Sequence, residues 1–152
     1  MSKHEDADLI LKLYDLRREA TMREARNWFL SFNPTSVQDF IDVLVGDSSP
    51  YLRMVVSYWD MAASLVNHGA IDEQMFHDAN GEHLFVYSKI EPFLADLRTT
   101  FGMPQYLEHL EKVVKGIPDF EARLANMRER MKQFAALREG KARAAQAAAA
   151  QA

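Results

Sequence analysis

Cysteine is absent from the 152 residues, which excludes disulfides, thiolate metal sites, thiol nucleophiles and iron–sulfur clusters together. That absence fits a reducing cytoplasm. No apolar run approaches the roughly 20 residues that span a bilayer, and the start MSKHEDADLI lacks the basic and apolar regions of a secretory signal. A soluble, unexported, cytoplasmic protein with no membrane partner is therefore expected. Also missing are a glycine-rich phosphate loop, a Gly-x-Ser-x-Gly elbow and a His-Glu-x-x-His helix. The reading is of a chain with no catalytic motif, no cofactor and no catalytic residue to name. With only 6 Gly and 5 Pro, these residues act as punctuation between helices.

What is present is a core. The hydrophobic fraction of 48%, with 9 Phe, 5 Tyr, 2 Trp and 8 Met, suffices for one domain of this length without covalent staples. The net charge of −4 is uneven: residues 1–116 carry 11 Lys/Arg against 18 Asp/Glu, net −7, while 117–152 carry 7 against 4, net +3. Because Glu121, Glu129 and Glu139 interrupt the basic residues of the second segment, no nucleic-acid partner is expected; phosphate binding needs a concentrated basic run.

Capping residues precede apolar-periodic segments, and Gly or Pro follow them. A first long helix is read from about Asp6 to Ser31, with Leu9, Leu13, Leu16 and Ala20 leading its apolar stripe. A second, capped by Thr35 or Ser36, carries Val37, Phe40, Ile41, Leu44 and Val45 on a core-facing side. A third runs from Ser49-Pro50 to about His68, Gly69 terminates it, and Asp72 caps a short fourth. A fifth spans about Glu82 to Thr100 with Pro92 inside, predicting a kink near Ser88. A sixth ends near Lys115, and Pro118 opens a long last helix.

The fold class expected is thus all-α, an irregular bundle of about six or seven helices. Residues 1–140 form a single helical domain in this reading, and the Ala-rich 141–152 a frayed helix or disordered tail. On the last helix Phe120, Leu124, Met127, Met131 and Phe134 recur at 4, 3, 4, 3 spacing, a narrow seam that either docks on the bundle or meets a partner.

Two polar constellations invite a functional reading. His68, Asp72, Glu73, His77, Asp78, Glu82 and His83 crowd one region. They match neither a zinc nor a di-iron pattern, and the loop DANGEH lacks the further donors of a calcium site. No metal site is assigned, and the cluster reads as a helix corner. The second constellation lies on the third helix, apolar around most of its circumference, where Arg53, Ser57, Asp60, Ser64 and Asn67 share one strip. That strip is a solvent edge, an internal network pairing Asp60 with Arg17 or Arg26, or the polar wall of a ligand groove beside Tyr58 and Trp59.

At SYWDMAASLVNHGAIDEQMF and FVYSKIEPFLADLR, the chain resembles an uncharacterised family of small bacterial helical proteins, a domain of unknown function, over about residues 10–135. The resemblance implies an all-helical bacterial protein and brings no activity or site residues with it. The function expected is a non-enzymatic interaction or scaffolding module that meets a protein partner, or another copy of itself, through the seam of its last helix. The alternative is a ligand-binding or enzymatic bundle using the strip around Asp60.

Overall fold

A computed structural model describes residues 2–152. Among them there is no strand, and nine α-helices follow one another: α1 Lys3–Arg17, α2 Ala20–Ser31, α3 Val37–Leu44, α4 Ser49–Asn67, α5 Glu73–Ala79, α6 Glu82–Ile90, α7 Leu94–Phe101, α8 Glu108–Lys115 and α9 Phe120–Ala150. The chain separates into two compact units, residues 1–118 and 119–152.

The first unit is organised around α4, which packs on α2 and on α8. Leu52, Val55, Val56, Trp59, Ala62, Ala63 and Val66 are its buried residues, and Ala62 and Ala63 are small enough for neighbouring backbones to approach closely. From α2 come Met22, Ala25 and Phe29 at helical spacing; from α8 come Leu110, Val113 and Val114. Residues 83–90 of α6 are buried but for Phe85, which is half-buried.

The long first helix of the sequence reading is two helices. Arg18 ends α1, and the Glu19 carboxylate accepts hydrogen bonds from the backbone N–H groups of Thr21, 3.0 Å, and Met22, 2.9 Å, starting α2. Glutamate is not among the preferred caps, and no Gly or Pro marks the break. The stripe shifts accordingly: Ile10 and Leu13 are buried, while Leu16 is 57% exposed.

Pro92 also acts differently from the kink expected near Ser88. Lacking an N–H, it ends α6 at Ile90 and sits in a single 3-10 turn, Glu91–Phe93, from which α7 starts. A proline is tolerated there because a first-turn N–H has no partner to lose. The corner at Gly69 is as read: Gly69 has φ 78°, and the Asp72 side chain accepts from Met75 N–H at 2.8 Å.

The second unit is the helix α9. It continues through the Ala-rich segment to Ala150, in keeping with alanine's high helix propensity. Of the expected seam, Leu124 is buried, Phe120, Met127 and Met131 are half-buried, and Phe134 is 59% exposed, as is Leu137 at 69%.

Candidate functional site

The α3 stripe expected in the core is largely outside it. Only Phe40 is buried, and Val45 is 82% exposed. The reason is a cleft of about 1260 Å3, walled by Phe40, Leu44 and Val45 of α3 and its C-terminus, by Leu52 and Val56 of α4, and by Leu97 and Phe101 of α7. The loop Gly102–Leu107 closes the far side with Met103, Pro104 and Tyr106. Phe101 and Met103 remain 42% and 45% exposed, so the cleft leaves its own apolar side chains in contact with water.

Three of the five strip residues, Arg53, Ser57 and Asp60, line this cleft. The other two do not. Ser64 donates to the Met61 carbonyl within α4, 2.6 Å, and Asn67 donates to the His109 carbonyl, 3.2 Å, toward α8. Ser57 likewise hydrogen-bonds within its own helix, to Met54 O. Arg53 is exposed and makes no ion pair among the described residues.

Asp60 has a specific task. Its Oδ1 accepts from the backbone N–H of Leu110, 3.0 Å. Leu110 is the third residue of α8, and α8 has no cap of its own because Leu107, the preceding residue, adopts a left-handed conformation (φ 57°) with its side chain buried. A carboxylate from α4 therefore does what a local Ser or Asp ordinarily does. Nearby, the Tyr106 phenol is pushed above its ordinary range by burial first and by Asp60 second.

The pairing of Asp60 with Arg17 or Arg26 is not formed. Both guanidinium groups go to Glu82 instead: Arg17 Nη1 lies 3.1 Å and Arg26 Nη2 2.9 Å from Glu82 Oε2, tying α1, α2 and α6 together. Arg17 also lies over the Trp59 ring, 5.3 Å from its centroid. The loop wall of the cleft is fixed by Arg98 of α7, which donates twice to the Tyr106 carbonyl, 3.0 and 2.8 Å, and pairs with Glu111 at 3.2 Å. Neither Arg98 nor Lys89 emerged from the sequence pattern. Lys89, 7% exposed, directs Nζ to the carbonyls of Phe29, 2.7 Å, and Phe32, 2.8 Å, at the C-terminal end of α2, where a cation is favoured.

The histidine and acid cluster does not converge. Asp72 caps α5, Glu82 is held by arginines, and His68 Nδ1 contacts the Ser64 carbonyl at 2.8 Å. His77 Nδ1 and His83 Nε2 meet at 3.0 Å, with Glu73 3.7 Å from His77. Among the described residues no group of three or more His, Asp or Glu side chains is placed to hold a metal ion. No helix among them is long and apolar enough to cross a membrane.

No curated protein and no solved structure matches the chain. Residues 3–117 match the family described as a domain of unknown function, DUF4760, so the likeness begins earlier than the sequence fragments suggested and stops before α9. The match covers nearly all of the first unit, cleft and capping aspartate included, and the chain belongs to that family.

Proposed function

We propose that this chain is a non-enzymatic protein-interaction module whose cleft between α3, α4, α7 and the 102–107 loop receives an amphipathic helical segment. The observation carrying the reading is the size and lining of the cleft. At about 1260 Å3 it exceeds the roughly 300–1000 Å3 of ordinary small-molecule sites. Three turns of helix, about 10–12 Å wide and about 16 Å long, displace on the order of 1500 Å3, so a helix laid into the cleft fills it and leaves its polar face outside. Helix-in-groove recognition relies on such apolar walls, and Val45, Phe101 and Met103 supply exposed apolar surface at the rim.

The second reading, a small ligand held by Arg53, Ser57 and Asp60, is supported by their shared place on the cleft wall. Two observations weigh against it. Asp60 already serves α8, and the space is larger than a few polar contacts would organise. The cysteine-free composition supports work in a reducing cytoplasm, and the net charge of −4 argues against a nucleic-acid partner.

The test is titration of dilute, fluorescently labelled protein with synthetic amphipathic helical peptides of acidic, neutral and basic polar faces. Saturable binding by at least one peptide, abolished by Val45→Glu with Met103→Glu, is expected. Absence of binding across the series, or binding indifferent to those rim substitutions, overturns the reading.

A further inference from the structure

His77 and His83 stand six residues apart on different helices. The corner Asn80–Gly81 turns the chain between them, with Asn80 Nδ2 donating to the Phe76 carbonyl at 3.0 Å, and sets the last turn of α5 against the first turn of α6. There His77 Nδ1 lies 3.0 Å from His83 Nε2, the ring centroids 5.2 Å apart and the rings 25° from parallel. His83 is 2% exposed, and the rings of Phe76 and Trp59 flank it at centroid distances of 4.9 and 5.8 Å.

A hydrogen bond between two imidazole nitrogens needs one N–H and one lone pair. Two neutral rings satisfy it, and so do one imidazolium and one imidazole. Two imidazolium rings place an N–H on both nitrogens, and repulsion between cations in an aromatic, buried corner replaces the bond. The surroundings decide which ring takes the first proton. His77 lies in the C-terminal turn of α5, with Glu73 Oε1 3.7 Å from its Nε2, and both features favour a cation. His83 is the second residue of α6, at the positive end of that helix. Around the pair, Arg17 of α1 lies over the Trp59 ring of α4, and Glu82 of α6 pairs with Arg17 and Arg26. Asp6 of α1 accepts from the Asp72 N–H at 2.9 Å, and Gly116 at the end of α8 adjoins the Glu73 carboxylate.

We infer that the His77–His83 pair is an acid-sensitive latch that holds α5 in place with at most one of its rings protonated and releases it when both are. Release frees α5 from α1 and α4, on which it packs, and brings the fully buried Phe76 into water. The sign follows from proton counts. The open form, with free imidazoles that titrate near about 6.5, carries two cations below that pH, whereas the closed form carries at most one. Opening therefore takes up a proton, and its equilibrium constant rises about tenfold for each pH unit below about 6.5. No residue of α5 or α6 lines the cleft, so the latch stands or falls independently of the helix-binding reading.

The test is backbone amide exchange of the full-length protein at pH 7.5 and pH 5.0, corrected for intrinsic exchange, the lower value lying above the ordinary carboxylate range. Opening of residues 73–79 relative to residues 52–66 of α4 is expected to rise at least about thirtyfold. The double variant His77→Asn with His83→Gln puts amides, each both donor and acceptor, near the Nδ1 and Nε2 positions and binds no proton. Its α5 is expected to open equally at the two pH values.

Unchanged protection of α5 in the wild type overturns the inference, and so does an acid response that survives in the double variant. If circular dichroism shows the variant unfolded, nitrogen-15 imidazole spectra of the wild type decide. At pH 5.5, where a free imidazole is about nine-tenths protonated, one ring of the pair is expected to remain neutral. Two imidazolium signals from the pair with α5 still protected overturn the latch.

Discussion

Asp60 on α4 and Leu110 on α8 are joined by a 3.0 Å hydrogen bond from backbone to carboxylate, and that bond begins α8 fifty residues downstream of its acceptor. It replaces a local cap, so its loss resembles deletion of an N-cap. Asp60→Ala is expected to lower stability by about 1–2 kcal/mol, read by urea denaturation, and Asp60→Asn, which keeps an acceptor oxygen, by less. Equal losses for the two substitutions would show that the hydrogen bond is not what matters at this position.

Glu82 holds two guanidinium groups, those of Arg17 and Arg26, at a site where its side chain is 18% exposed. Glu82→Gln leaves both cations facing a neutral amide. Removing one partner of a mostly buried ion pair costs about 3–5 kcal/mol, and the partial exposure of Arg26 places the expected loss near the lower end. Differential scanning calorimetry of the variant checks it, and an unchanged melting temperature would contradict the ion network.

Lys89→Met is a near-isosteric change that removes the cation from the carbonyls of Phe29, Leu30 and Phe32. An unsatisfied buried polar group costs about 1–3 kcal/mol, and more than one is left here. A loss of about 3 kcal/mol is expected, accompanied by faster amide exchange in the last turn of α2. Exchange accelerated uniformly over the first unit, with no excess in α2, would refute a local capping role.

Alkaline pH reports on three phenols, Tyr87 buried and Tyr58 and Tyr106 half-buried. Burial pushes Tyr58, which hydrogen-bonds the Leu13 carbonyl, from 10.0 to about 12, and it raises Tyr87 and Tyr106 as well. Folding raises these values, so the unfolded chain loses its phenolic protons first. Their contribution is fully present below about pH 10 and is lost as pH rises toward 12. Denaturant midpoints measured across that interval should fall, and Tyr58→Phe should make the fall shallower. A midpoint flat from pH 10 to 12 would contradict the burial of these rings.

Much of the helical order was legible because the relevant signals are local. Ser36, Asp72 and Gly69 each act within a turn of their own position, as a cap or as a left-handed residue. Three features were not legible for a physical reason. The α1–α2 break depends on Glu19, a residue with no strong positional preference. The Asp60 cap joins elements fifty residues apart, and the strip that suggested Asp60 did not indicate α8 as its destination. The cleft is hardest to read, since Phe40, Leu44 and Val45 have the periodicity of a core face whether they meet a neighbouring helix or an open groove. The ion pairs of Glu82 are long-range in the same way, and the pairing of Asp60 with Arg17 or Arg26 is only one of three readings that the strip leaves open.

The central claim, that the cleft is a helix-binding surface, is tested most directly by carbon-13 methionine methyl spectra of the full-length protein, titrated at low concentration with amphipathic helical peptides of acidic, neutral and basic polar faces. Met54 and Met103 line the cleft, whereas Met22 is buried in the α2 face. The account predicts saturable shifts of the Met54 and Met103 methyls with Met22 unmoved. Binding that leaves Met54 and Met103 in place, or no binding at all by any helical peptide, contradicts it.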